Sequence, residues 1–356
     1  MRSNWRAGEN SFLDFVNAAL NELLKRTSRS FYLTLRVLPA AVRRQIGLAY
    51  LLARTTDTIA DTEIVPQAER LDALHKLRVR IVGRSTAPLN FGELAKQQAS
   101  PAERLLLEKV EDSLALLPKL SPADLQRVRG VLEIIIGGQE LDLERFAGAS
   151  ADNIIALKTG IELDDYTYRV AGCVGEFWTQ LCRAHLFPFA ELEDAQLFGD
   201  SIRFGKGLQL VNILRDLPAD LHKGRCYLPS LELDQVGLLP SILLSPVNES
   251  RFRPIYHHYL DVAESHLKAG WAYTNALPRG QMRVRLACAW PILIGARTIK
   301  RLRAANVLEL RQGVKISRGR VYGIMLHSVL AYPLPGVWRK LFVMSRNAIA
   351  SGEKLR

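Results

Sequence analysis

An all-α fold is predicted by three observations. Apolar residues recur at three- and four-residue spacing through 12–25, 41–60, 103–117, 123–146, 154–185, 195–215, 252–275, 283–303 and 335–349. Alternating strand patterns are scarce, and no hairpin signal stands among them. The breaks "GRSTAPLNFGE" (83–93), "HKGRCYLPS" (222–230) and "LLPSILLSPVNE" (238–249) read as loops within one domain rather than linkers between two. The chain of 356 residues is therefore taken as a single domain over 1–356, with a core of about 12–303.

The first segment, "MRSNWRAGENSFLDF", lacks the apolar core of a signal peptide. No run of ~20 apolar residues is present, so no membrane span is expected. Cys173, Cys182, Cys226 and Cys288 form no CxxC pair, which argues against zinc and fits a reducing, cytoplasmic setting. The net charge of +12 favours anionic partners: nucleic acid, acidic lipid or a phosphorylated substrate.

The 41–60 helix carries a polar seam. Tyr50, Arg54, Asp57 and Asp61 fall at i, i+4, i+7 and i+11, one face of a helix that is otherwise mostly Leu, Ala, Ile and Thr. The 123–146 helix has a start signal in Ser121 and Pro122. Gly137, Gly138, Gly172 and Gly175 leave room beside bulky neighbours or let helices pack closely; both readings stand. The 195–215 helix repeats the seam with Gln209, Asn212, Asp216 and Asp220 at i, i+3, i+7 and i+11. Pro218 is expected to bend or end this helix near Asp216 and to place Asp220 on a distorted last turn.

Carboxylates converging on a cavity cost several kcal/mol each unless compensated. Arginines or hard cations can do so. Oxygen ligands without His or Cys suit Mg²⁺, with Mn²⁺ as the alternative, and Mg²⁺ fills the rest of its shell with water and substrate phosphates. Arg54, Arg215, Lys223 and Arg225 are near enough in sequence to take phosphate oxygens. An ion-pair network with Arg54 and Arg215 is the rival reading of the same residues.

"SRSFYLTLRVLP", "DTIAD", "DYTYRVAGCVG" and "QLVNILRDLPADLHKGRCYLP" resemble, in order and separation, the motifs of squalene and phytoene synthases from about residue 27 to 229. The resemblance implies a single-domain helical bundle of the isoprenoid synthase type around a central cavity. It implies head-to-head joining of two isoprenyl diphosphates through a cyclopropyl intermediate. Asp57, Asp61, Asp216 and Asp220 match the two Mg²⁺-binding motifs, and Arg54, Arg215 and Arg225 match phosphate-contacting arginines. Arg29, Ser30 and Phe31 match the segment that helps bind one diphosphate. Tyr166 matches a tyrosine of the first half-reaction, Gln209 and Asn212 flank the second motif, and Tyr50 lines the cavity wall. Pro218 departs from the family pattern.

Within that family the expectation is squalene synthase: two farnesyl diphosphates joined through presqualene diphosphate, then reduced by NADPH. "RQGVKISRGRVYGIM" resembles a stretch of eukaryotic-type squalene synthases, with Lys315 and Arg318 as cations for NADPH phosphates. No Rossmann fingerprint is present. The alternative is a phytoene or dehydrosqualene synthase, or one that stops at presqualene diphosphate. The basic amphipathic segment 334–356, with Trp338, Leu341, Phe342 and Met344, fits either peripheral contact with an anionic inner membrane face or packing on the core. A non-catalytic helical module for lipid or nucleic acid is the different-class alternative; no nucleic-acid signature supports it. Oligomeric state is unspecified.

Overall fold

The structure is a computed structural model. It describes residues 22–27, 29–309 and 314–347, with the side chains of 29–31 left outside. The described chain is all-α apart from one two-residue parallel ladder, and it divides into two compact units, 1–143 and 144–356.

The first unit contains α1 (Arg29–Val37), α2 (Ala40–Asp61), α3 (Gln67–Val82), α4 (Gly92–Lys96), α5 (Pro101–Glu108), α6 (Val110–Leu114) and most of α7 (Pro122–Arg145). In α2 the residues off the seam are buried: Leu48, Leu51, Leu52, Thr55, Thr56, Thr58 and Ile59. The threonines are tolerable there because their hydroxyls donate back to the helix. Thr55 donates to the Leu51 carbonyl at 2.9 Å and Thr58 to the Arg54 carbonyl at 2.9 Å. The 103–117 apolar stretch is shorter pieces rather than one helix: α5, α6 and a 3₁₀ turn at Leu117–Lys119.

The second unit contains α8 (Gly160–Thr167), α9 (Cys173–His185), α10 (Asp194–His222), α11 (Ser230–Gln235), α12 (Glu249–Ala276), α13 (Met282–Ala304), α14 (Arg318–Ala331) and α15 (Pro335–Asn347). A π-helical turn, Tyr168–Gly172, joins α8 to α9. Gly175 marks a close crossing of α9 and α10: a Cβ there would sit 2.0 Å from the Ser201 carbonyl oxygen. Helix packing, not room for a ligand, is what this glycine provides.

Of the two outcomes expected at Pro218, termination does not occur: α10 runs on to His222 with the proline inside it, so Asp220 stands in its last turn. A proline at 218 deprives the Leu214 carbonyl of its helical donor. The Tyr256 hydroxyl, on a side chain with no exposed surface, donates to that carbonyl at 2.9 Å. One buried tyrosine of α12 thus replaces the missing backbone bond, and Asp216 and Asp220 stay on one continuous helix.

The apolar face of α15 turns inward. Trp338, Leu341 and Phe342 are buried, and Trp338 stacks on Trp271 at 5.3 Å between centroids. Core packing is therefore the role of those three residues. Among the described residues no helix is long and apolar enough to cross a membrane.

The proline bridge has a direct test. Tyr256→Phe leaves a buried carbonyl unsatisfied and is expected to cost about 1–3 kcal/mol in urea denaturation. In a Pro218→Ala background, the backbone N–H regained at that position serves the Leu214 carbonyl and the cost falls. An equal loss in both backgrounds contradicts the bridge.

Candidate functional site

In the first unit the seam of α2 has the form the spacing predicted. Tyr50, Arg54 and Asp57 are half-buried, Asp61 is exposed, and the flanking positions are buried. The Arg54 guanidinium reaches Glu103 Oε1 at 2.5 Å and stands 3.7 Å from Asp57 Oδ2. Gln139 of α7, only 7% exposed, donates from Nε2 to Asp57 Oδ1. Its own Oε1 is buried without a hydrogen-bond partner.

Asp57 is under-compensated. Burial and then the Asp61 charge push its carboxyl up to about 6, and Arg54 and Gln139 only partly offset them. The side chain is nonetheless 46% open to solvent, so the group is recessed rather than sealed. Arg54 is pulled the other way: burial alone would lower its pKa, but Asp57 and Glu103 raise it.

In the second unit Gln209, Asn212, Asp216 and Asp220 are half-buried along α10, while Leu210, Val211, Ile213, Leu214, Leu217 and Leu221 are buried behind them. Arg215 grips the neighbouring Asp216 with two bonds, Nε to Oδ1 at 2.9 Å and a terminal nitrogen to Oδ2 at 2.5 Å. That hydrogen bond raises the Arg215 pKa against the effect of burial.

Gly224, in the left-handed region at φ 80°, turns the chain out of α10; a Cβ there would lie 2.2 Å from the Ser150 nitrogen. The chain then enters β2 (Arg225–Cys226), which pairs in parallel with β1 (Ile155–Ala156). This ladder fixes Arg225 close in sequence after Asp220. Tyr227 follows and stacks on Tyr166 at 4.7 Å, with Phe146 edge-on to it at 5.1 Å. Tyr166 therefore stands in a rigid aromatic cluster.

The remaining expected residues fall as follows. Arg29, Ser30 and Phe31 begin α1, and their side chains lie outside the described residues. Lys315 and Arg318 are exposed at the start of α14, which opens without a side-chain cap and without an acid in its first turn. Gln139, Glu103 and Tyr227 were not singled out from sequence. Gln139 carried one signal, a polar residue after the apolar run "VLEIIIGG"; the other two depend on tertiary contact.

Among the described residues no three His, Cys, Asp or Glu side chains converge into a metal cage. The donors are carboxylate pairs, and Asp57 is recessed and only partly compensated by Arg54 and Gln139. Such a set fits Mg²⁺, which takes one or two carboxylates and completes its shell from water and phosphate.

An all-α fold with two Asp-x-x-x-Asp seams is the arrangement that the resemblance to isoprenoid synthases implies, and similarity to known proteins supports that class. The fold aligns with that of TcSQS solved with the ligand E5700, at TM-score 0.75 and 21% identity over 94% of this chain and 92% of that one. The family model described as squalene/phytoene synthase matches residues 24–320, and the chain belongs to that family. It is 30% identical to 15-cis-phytoene synthase of Synechocystis sp. over 74% of this chain and 68% of that protein. It is 26% identical to squalene synthase ERG9 of Saccharomyces cerevisiae over 92% of this chain and 72% of that protein.

The raised Asp57 pKa has a measurable sign. With the folded value near 6 and the ordinary value 3.8, its stabilising contribution is complete below the unfolded pKa and is lost as pH rises through about 6. Asp57→Asn is expected to raise the melting temperature of EDTA-treated protein at about pH 7.5 and to change it little near pH 4. A variant that melts lower than wild type at the higher pH contradicts the under-compensated carboxylate.

Proposed function

We propose that the protein is a squalene-synthase-type enzyme within this family of head-to-head prenyltransferases acting on isoprenyl diphosphates. It condenses two farnesyl diphosphates through presqualene diphosphate and reduces that intermediate with NADPH. The observation that carries the choice is extent: the similarity to yeast squalene synthase runs over more of the chain than the similarity to the cyanobacterial phytoene synthase. The exposed cations Lys315 and Arg318, at an uncapped helix start, suit the phosphates of a dinucleotide.

Asp57 and Asp61 would hold Mg²⁺ in the first unit, and Asp216 and Asp220 in the second. Mg²⁺ held there would neutralise diphosphate charge and stabilise a departing pyrophosphate. Gln139 orients the Asp57 carboxylate through its hydrogen bond. Arg54, paired with Glu103, and Arg215, paired with Asp216, supply guanidinium donors for phosphate oxygens. The Tyr166 ring, fixed by Tyr227, offers a π face to a carbocation, and its phenol a site for a proton. Lys315 and Arg318 would hold the phosphates of NADPH, which would supply the hydride for the second step.

The higher identity to phytoene synthase keeps phytoene formation as the second reading. Purified protein with Mg²⁺ and farnesyl diphosphate is expected to yield squalene only when NADPH is added, with products identified by mass. Phytoene from geranylgeranyl diphosphate, with no squalene under any condition, overturns the reading. Asp57→Asn and Asp216→Asn are each expected to lower coupling at least about a hundredfold; full activity in both contradicts the metal assignment.

A further inference from the structure

The solvent face of the α14–α15 hairpin is apolar, which is unusual for a surface held so firmly. Tyr322, Leu326, Val329 and Leu330 fall at i, i+4, i+7 and i+8 of α14, and Leu326 and Leu330 are 62% and 65% exposed. Leu334 and Val337 continue the face into α15 at 56% and 38%. Of the exposed positions on α14 beyond Arg318, only His327 and the hydroxyl of Tyr322 are polar, and none carries a Lys, Arg, Asp or Glu side chain. The opposite face, Ile324, Ser328 and Ala331, is buried.

The hairpin is clamped rather than frayed. Trp290 Nε1 donates to Ser328 Oγ at 2.9 Å, and Trp338 Nε1 donates to Asn275 Oδ1 at 2.8 Å. The Arg285 guanidinium lies 5.5 Å from the Tyr332 ring centre and 5.4 Å from that of Trp338. Buried polar bonds and cation–π contacts on the inner face therefore hold the apolar face outward.

Charge selects the occupant. Between Glu309 and Glu353 the sequence has no acidic residue and seven Lys or Arg. Lys315 and Arg318 stand exposed at the start of α14, and Arg339 and Lys340 stand exposed on α15. A second copy meeting this face would bring like charges together, whereas an anionic bilayer offers acyl chains to the apolar residues and phosphates to the cations.

We propose that the outer face of α14–α15 docks on an anionic phospholipid bilayer, with Leu326, Leu330 and Val337 entering the interface and Arg339 and Lys340 at the headgroups. The surface goes beyond the catalytic reading and does not depend on it, so its test uses no substrate. Full-length protein is mixed with phosphatidylcholine vesicles, with or without about 30% phosphatidylglycerol, and floated at low and high salt. Wild type is expected to float with the anionic vesicles and to be released by salt. Leu326→Ser/Leu330→Ser/Val337→Ser and Arg339→Ala/Lys340→Ala are each expected to lower the bound fraction about tenfold or more, with unchanged circular-dichroism melts. Wild type that does not float, or a triple variant that floats as well as wild type, overturns the proposal. If wild type does not float and light scattering shows a dimer split by the triple variant, the face belongs to a second copy instead.

Discussion

A carboxylate on an otherwise apolar helix must be compensated, and much of the arrangement of this protein answers that constraint. In the first unit Asp57 is half-buried and faces the charge of Asp61; Gln139 and Arg54 offset only part of that. In the second unit Arg215 folds back on Asp216. The two solutions differ. Asp57 lacks a full ion-pair partner, because Arg54 stands 3.7 Å away and is shared with Glu103, and its carboxyl is pushed above the ordinary value.

Placing acids this way demands rigid helices, and the sequence achieves rigidity through a few non-local bonds. Pro218 would leave Leu214 without a donor, and Tyr256 restores one from another helix. Gly175 lets α9 approach the backbone of α10. Gly224 and the β1–β2 ladder turn the chain directly after α10, so that Arg225 and Tyr227 follow Asp220 in a fixed path. A local rule is broken at each point, and each break is compensated by packing.

The all-α class and both seams were legible in the sequence, because helical periodicity is local and an Asp every fourth residue is conspicuous in a run of Leu, Ala and Thr. Helices α3 and α14 were not singled out. In α3, charged residues alternate too closely with apolar ones for a narrow stripe to stand out. In α14, apolar residues cover the solvent face as well as the core face, which erases the periodicity. That the helix continues past Pro218 is not legible locally, because the Tyr256 donor lies on α12, 38 residues further on by number from 218 to 256. The aromatic partner of Tyr166 was hidden for the same reason: Tyr227 meets it only after the chain has returned through α10. The amphipathic reading of α15 located the apolar stripe but left open which way it faced, and the stacking of Trp338 on Trp271 turns it inward.

The central claim is that the two acidic seams are cation sites for a diphosphate rather than permanent ion pairs. Crystals grown with Mn²⁺ and inorganic pyrophosphate test it most directly through the anomalous signal of the metal. The account predicts anomalous peaks at about 2.0–2.3 Å from carboxylate oxygens of Asp57 or Asp61 and of Asp216 or Asp220, each also bound to a phosphate oxygen. Pyrophosphate bound with no metal at either seam, and Arg54 and Arg215 still paired to Glu103 and Asp216, would contradict it.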